Sequence, residues 1–139
     1  VPPEPGRIVT FKLGGNAELP SPIDYLVVES PKAPLAGDAE TWQVGMQRFA
    51  ENCQFCHGAY AISSGVIPDL RWSAISASED SWAAVVRDGA LTANGMVGFS
   101  DIIDDDEIEA IRLYVLRQAW LAVENGTADT PELAAAGDQ

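Results

Sequence analysis

The sequence predicts an all-α domain, on three observations. Two stretches carry apolar residues at three- and four-residue spacing behind a helix-starting aspartate, and a shorter one of the same kind lies between them. Only one segment in 139 residues reads as a strand. At 47% hydrophobic content the chain has enough to bury for one core with tails, and too little length for two full domains.

Taken in order, residues 7–13, RIVTFKL, are branched and aromatic enough for a strand stopped by Gly14 and Gly15, but no partner strand exists for it. The stretch that follows is punctuated by Pro20, Pro22, Pro31 and Pro34, which fix backbone angles and remove donors. Residues 1–37 therefore end in an extended connector, with its YLVVE core laid along a neighbouring surface. Asp38 can cap a first helix running to about Asn52, with Trp42, Gly45, Met46 and Phe49 on one face, where Met46 packs. A glycine in mid-helix costs about 1 kcal/mol relative to alanine, so Gly45 points to a second backbone passing close by.

Ser78 precedes a second, shorter helix with Glu79 and Asp80 in its first turn, Trp82, Val85 and Val86 on its apolar face, and Gly89 at its stop. Asp104 with Glu107 forms a capping box for the last helix, whose face is Ile108, Ile111, Val115 and Leu116. Residues 104–106 thus read as a helix start rather than a calcium loop, which needs spaced oxygen ligands and a loop glycine. Residues 38–122 hold all three helices and form the core domain, and residues 123–139 are small, polar and acidic, a flexible tail.

The net charge of −13 repels nucleic acid and anionic lipid, and solubility is its simplest use. No run of about 20 apolar residues suggests membrane insertion, and VPPEPGRIVT lacks the layout of a signal peptide, so the chain reads as soluble and processed, or as a fragment.

The chemistry concentrates in CQFCH, where Cys53, Cys56 and His57 are both cysteines and the only histidine of the chain. Cys-x-x-Cys-His is the pattern of covalent haem c attachment. The two thiols reach two vinyl groups on one porphyrin edge, and the imidazole that follows is carried beneath the iron. A structural zinc site wants four Cys or His ligands and finds three. A thioredoxin-like dithiol opens a helix in a βαβ unit, whereas here a helix precedes the motif, and a plain disulfide leaves His57 unexplained.

For the sixth iron position the thioether candidates are Met46 and Met96. Met96 sits in the glycine-rich ALTANGMVGFSD between two helices, 39 positions after His57, and is the better placed. Pro68 can offer a carbonyl to the second nitrogen of His57, and Arg71 a guanidinium to a haem propionate. Trp72, Trp82, Phe99 and Tyr114 read as core, some of it against the porphyrin.

With these residues together, the chain resembles a class I cytochrome c over roughly residues 38–121. It is more closely similar to the carboxy-terminal haem domain of quinohaemoprotein alcohol dehydrogenases in SSGVIPDLRW, in DGALTANGMVGFSD and in GRIVTFKLGGNAELP. That last piece is similar to the final propeller strand of such enzymes. The resemblance implies a class I cytochrome c fold around one covalent haem c, held by Cys53 and Cys56 and ligated by His57 and Met96, with Pro68 orienting His57 and Arg71 on a propionate. It implies a PQQ-dependent dehydrogenase domain as electron donor, an external redox protein or electrode-like acceptor, and a periplasmic or secreted location. The quinone site, calcium ligands and catalytic base of such enzymes are not among these residues, so no alcohol oxidation is expected of this chain alone. The competing expectations are a free-standing soluble periplasmic cytochrome c, or a haem sensor or peroxidase with an open distal site.

Overall fold

A computed structural model describes residues 12–16, 18, 29–63 and 67–126. Residues 7–11 of the strand expected at 7–13, residues 25–28 of the YLVVE segment and the tail from 127 lie outside them. Lys12–Gly15 form a turn closed by a hydrogen bond from the Gly15 N–H to the Lys12 carbonyl at 2.9 Å.

Four α-helices, α1 (Ala39–Asn52), α2 (Gln54–His57), α3 (Glu79–Val86) and α4 (Asp105–Gly126), make up the scaffold, with single 3-10 turns between them and no strand among the described residues. Local chemistry sets their starts. The Asp38 carboxylate accepts from the Thr41 N–H at 2.8 Å, and the Ser78 hydroxyl accepts from the Ser81 N–H at 3.1 Å. At α4 the capping box is complete: Asp104 accepts from the Glu107 N–H at 2.8 Å, and Glu107 accepts from the Asp104 N–H at 3.3 Å. The last helix continues to Gly126, four residues into the stretch read as tail, because Val123 still has a core face to bury against.

The α1–α4 crossing is the main helix contact, and Gly45 makes it possible. A Cβ there would lie 2.6 Å from the Ala110 carbonyl carbon and 2.8 Å from Tyr114 Cβ, so α1 passes within backbone distance of α4 at this point. Phe49 lies one turn further along the same seam, with its ring 5.4 Å from that of Tyr114. Ile108, Ile111, Val115 and Leu116 are all buried, as the spacing predicts.

Met46 departs from expectation. It is 47% exposed and lines a surface groove with Tyr60 and Tyr114. The crossing consumes the Gly45–Phe49 stripe, and Met46, one residue round the helix from Gly45, is turned past it.

The end of the connector is bound to this pair of helices. The Trp42 indole donates to the Ala36 carbonyl at 2.9 Å, and the Trp120 indole to the Ala33 carbonyl at 3.0 Å. Arg117 stacks over Trp42 at 4.0 Å, and Gly37 leaves no space for a side chain beside that indole.

Candidate haem site

One cavity of about 470 Å³ opens between α1, α3, α4 and the loops that join them. Phe49, Ile67, Leu70, Ile75, Trp82, Val85, Val86, Leu91 and Ile111 supply an apolar lining, with Ser73 and Asn94 as its neutral polar groups. Cys53, His57, Pro68 and Met96 face the same space. Four residues separated by up to 43 positions are thereby brought to one site.

The α1–α2 corner sets the first of these. Helix α1 ends at Cys53, and the chain re-enters a single helical turn, QFCH, in which the Cys56 and His57 N–H groups both donate to the Cys53 carbonyl, at 3.2 and 3.0 Å. That turn buries Cys53 and His57 and leaves Cys56 exposed at the rim, with both thiols free. After His57 the chain reverses through Gly58 at φ 77°, with Tyr60 and Ala61 also left-handed at 58° and 60°. Gly58 meets the Ile62 backbone so closely that a side chain cannot be accommodated.

Burial pushes the Cys53 thiol up to about 12, with Cys56 adding to the effect, so it stays protonated at neutral pH. Burial also lowers the pKa of His57 and favours the neutral imidazole, the form that binds a metal. The Pro68 carbonyl lies near enough to oppose that shift. Even so, His57 Nδ1 is buried without a hydrogen bond of normal geometry. A neutral imidazole with unmet capacity, two free thiols in the Cys-x-x-Cys-His order and an apolar slot together fit a c-type haem.

Arg71 has a partner that the sequence reading did not name. It is buried outside the cavity lining, and its guanidinium is held by Asp69 through Nε and Nη2 at 3.0 and 2.7 Å. Its flat face lies 5.2 Å from the centre of the Trp72 ring. The Asp-x-Arg spacing lets one carboxylate cap the 3-10 turn Leu70–Trp72 and fork with the arginine at once, which answers the charge locally. Trp72 is accordingly only half-buried, whereas Trp82 and Tyr114 are core and Phe99 packs at its edge.

Met96 is held by backbone bonds within its loop. Its N–H donates to the Leu91 carbonyl at 3.2 Å, and the Phe99 N–H donates to the Val86 carbonyl at 2.8 Å, tying the loop to the end of α3. Sequence reasoning missed the lining from Ile67, Leu70, Ser73, Ile75 and Asn94. These sit on short irregular turns with no periodicity, and the only signals were the Ser73 hydroxyl capping the turn Ala74–Ala77 and Asp69 capping Leu70–Trp72.

Comparison with known proteins bears on the same residues. The family described as cytochrome C oxidase, cbb3-type, subunit III matches residues 40–115. The chain belongs to the cytochrome c family. Within that family it is 37% identical over 115 residues to quinohemoprotein alcohol dehydrogenase ADH IIB of Pseudomonas putida, covering 82% of this chain and 16% of that protein. It is 40% identical over 116 residues to the dehydrogenase subunit of the alcohol dehydrogenase (quinone) of Komagataeibacter europaeus, covering 81% of this chain and 15% of that one.

A solved structure of quinohemoprotein alcohol dehydrogenase ADHIIG from Pseudomonas putida HK5 matches with a TM-score of 0.63 at 28% identity, over 83% of this chain and 16% of that one. This cytochrome c domain thus spans about a sixth of the length of those relatives and corresponds to their cytochrome c portion. The class I cytochrome c fold expected from the sequence is the fold observed. No helix among the described residues is long and apolar enough to cross a membrane.

Proposed function

We propose that this cytochrome c domain carries one electron at a time on a single covalently attached haem c, taking it from a PQQ-dependent alcohol dehydrogenase domain and passing it to an external redox protein in the periplasm. The observation that carries the reading is the meeting of Cys53, His57 and Met96 in one apolar cavity, with a His57 nitrogen buried and unpaired.

When bound, the haem supplies a one-electron iron couple. Cys53 and Cys56 would anchor it through thioether links formed by adding their thiols to its vinyl groups, and His57 and Met96 would be its iron ligands. The Pro68 carbonyl beside the imidazole orients the ring and favours its donor tautomer. The apolar lining excludes water and lowers the reorganisation that accompanies a change of charge. Ligation by both His57 and Met96 would leave the iron no position for oxygen or substrate, which would favour electron relay over oxygen chemistry. Arg71, engaged by Asp69, would reach a propionate only by sharing that carboxylate's hold.

A pyridine haemochrome spectrum combined with intact mass tests the attachment: one haem per chain and no alkylatable thiol is expected. The Met96→Ala variant should keep its haem while losing the sulfur-to-iron charge-transfer band of the oxidised protein, and its potential should fall. Carbon monoxide or peroxide binding by the resting wild-type protein would instead support a sensor or peroxidase.

A further inference from the structure

We propose that Gly98, packed against Gly89, is the positioning residue that keeps Met96 over the cavity: their backbone contact closes the neck of loop 89–98 and leaves no room for a side chain. The inference rests on the reading of Met96 as an iron ligand.

A Cβ on Gly98 would lie 2.8 Å from the Arg87 carbonyl oxygen, 3.0 Å from the Gly89 nitrogen and 3.2 Å from Gly89 Cα. All three obstacles are backbone atoms, which cannot swing aside as a side chain end can. Gly98 itself has no positive φ, so its conformation is open to any residue and space alone demands glycine. Gly89 is constrained twice, by φ +70° and by Gly98 N at 3.0 Å from its own would-be Cβ.

The neck is also where the loop is fastened. The Phe99 N–H donates to Val86 at the end of α3, and the Thr92 hydroxyl donates to the Gly89 carbonyl at 2.7 Å. Met96 lies two residues from Gly98, so a displaced neck moves Met96 before it disturbs the helices. The remaining restraint on the Met96 backbone is its one long bond to Leu91 at 3.2 Å. Val97, between Met96 and Gly98, is a natural control. Its side chain is 52% exposed and outside the cavity lining, so Val97→Ala removes bulk from the loop without crowding the neck or the cavity.

The experiment uses the holo-protein and three variants, Gly98→Ala, Val97→Ala and Met96→Ala. It reads the sulfur-to-iron charge-transfer band, carbon monoxide binding by the reduced protein, the potential, the haem-to-protein ratio and far-ultraviolet circular dichroism. Gly98→Ala is expected to retain haem and helix content while losing most of the band, binding carbon monoxide and dropping in potential towards Met96→Ala. Val97→Ala is expected to match wild type. A folded Gly98→Ala with an undiminished band and no carbon monoxide binding overturns the proposal, as does a Val97→Ala that loses the band equally.

If Gly98→Ala does not fold, Thr92→Val takes its place. It removes one bond at the neck without crowding, and a partial loss of the band supports the clasp where an unchanged band overturns it. A wild-type protein with no band, or a Met96→Ala variant that keeps it, removes the ligand reading and the clasp with it.

Discussion

The two sides of the cavity are built by different means. The corner that carries Cys53 and His57 is the end of a fourteen-residue helix locked into the α1–α4 crossing, with Phe49 and Tyr114 packed behind it. The loop that carries Met96 has no such backing and is held by short backbone bonds and by two glycines in contact. Rigidity on the histidine side comes from burial, which is cooperative over a whole interface, and on the methionine side from a few individually weak bonds. The methionine loop is therefore the part of the site that can shift while the fold survives.

The largest test of this contrast is Gly45→Ala. Its methyl group meets the Ala110 carbonyl in the middle of the crossing, so the helices must separate, at about 3 kcal/mol or more by the usual cost of overpacking. Denaturant unfolding of the holo-protein measures it, and a change below about 1 kcal/mol would mean the crossing yields more easily than a packed core should. Trp82→Phe probes the wall between the two sides. It removes the indole bond to the Ile108 carbonyl at 3.0 Å inside the core and should cost about 1–2 kcal/mol in the same measurement, with the methionine band retained.

The smallest effect is chemical. In haem-free chain at mildly alkaline pH, iodoacetamide should modify exposed Cys56 before Cys53, because burial holds the Cys53 thiol near 12 and starves it of thiolate. The difference should shrink as the pH approaches that value and vanish in denaturant. Equal rates in the folded chain would show that the corner does not form without haem.

Much of the scaffold was legible because its signals are local. Asp38, Ser78 and Asp104 each cap a helix through hydrogen bonds spanning three residues, and Gly45 announced a close approach before its partner was known. The partner was legible only through the family resemblance, which implies a crossing of the first and last helices at this glycine against the face from Ile111 to Tyr114; Ala110 and Tyr114 are the residues met there, and nothing in α1 itself encodes them. The fate of Met46 was misread for a related reason. Periodicity defines a broad apolar face, and only the crossing angle decides which part of it is covered. The Asp69 partner of Arg71 was missed because the spacing of the two becomes a fork only once the chain folds into a 3-10 turn.

By itself the sequence determined the helices, the Cys-x-x-Cys-His chemistry and the family, because caps, spacing and thiol reactivity act over a few residues. Tertiary structure alone decided that Met96 and His57 line one cavity, that Arg71 is spoken for, and that Gly98 closes the methionine loop. Those are contacts between segments distant in the chain, and their energies depend on shape rather than on composition.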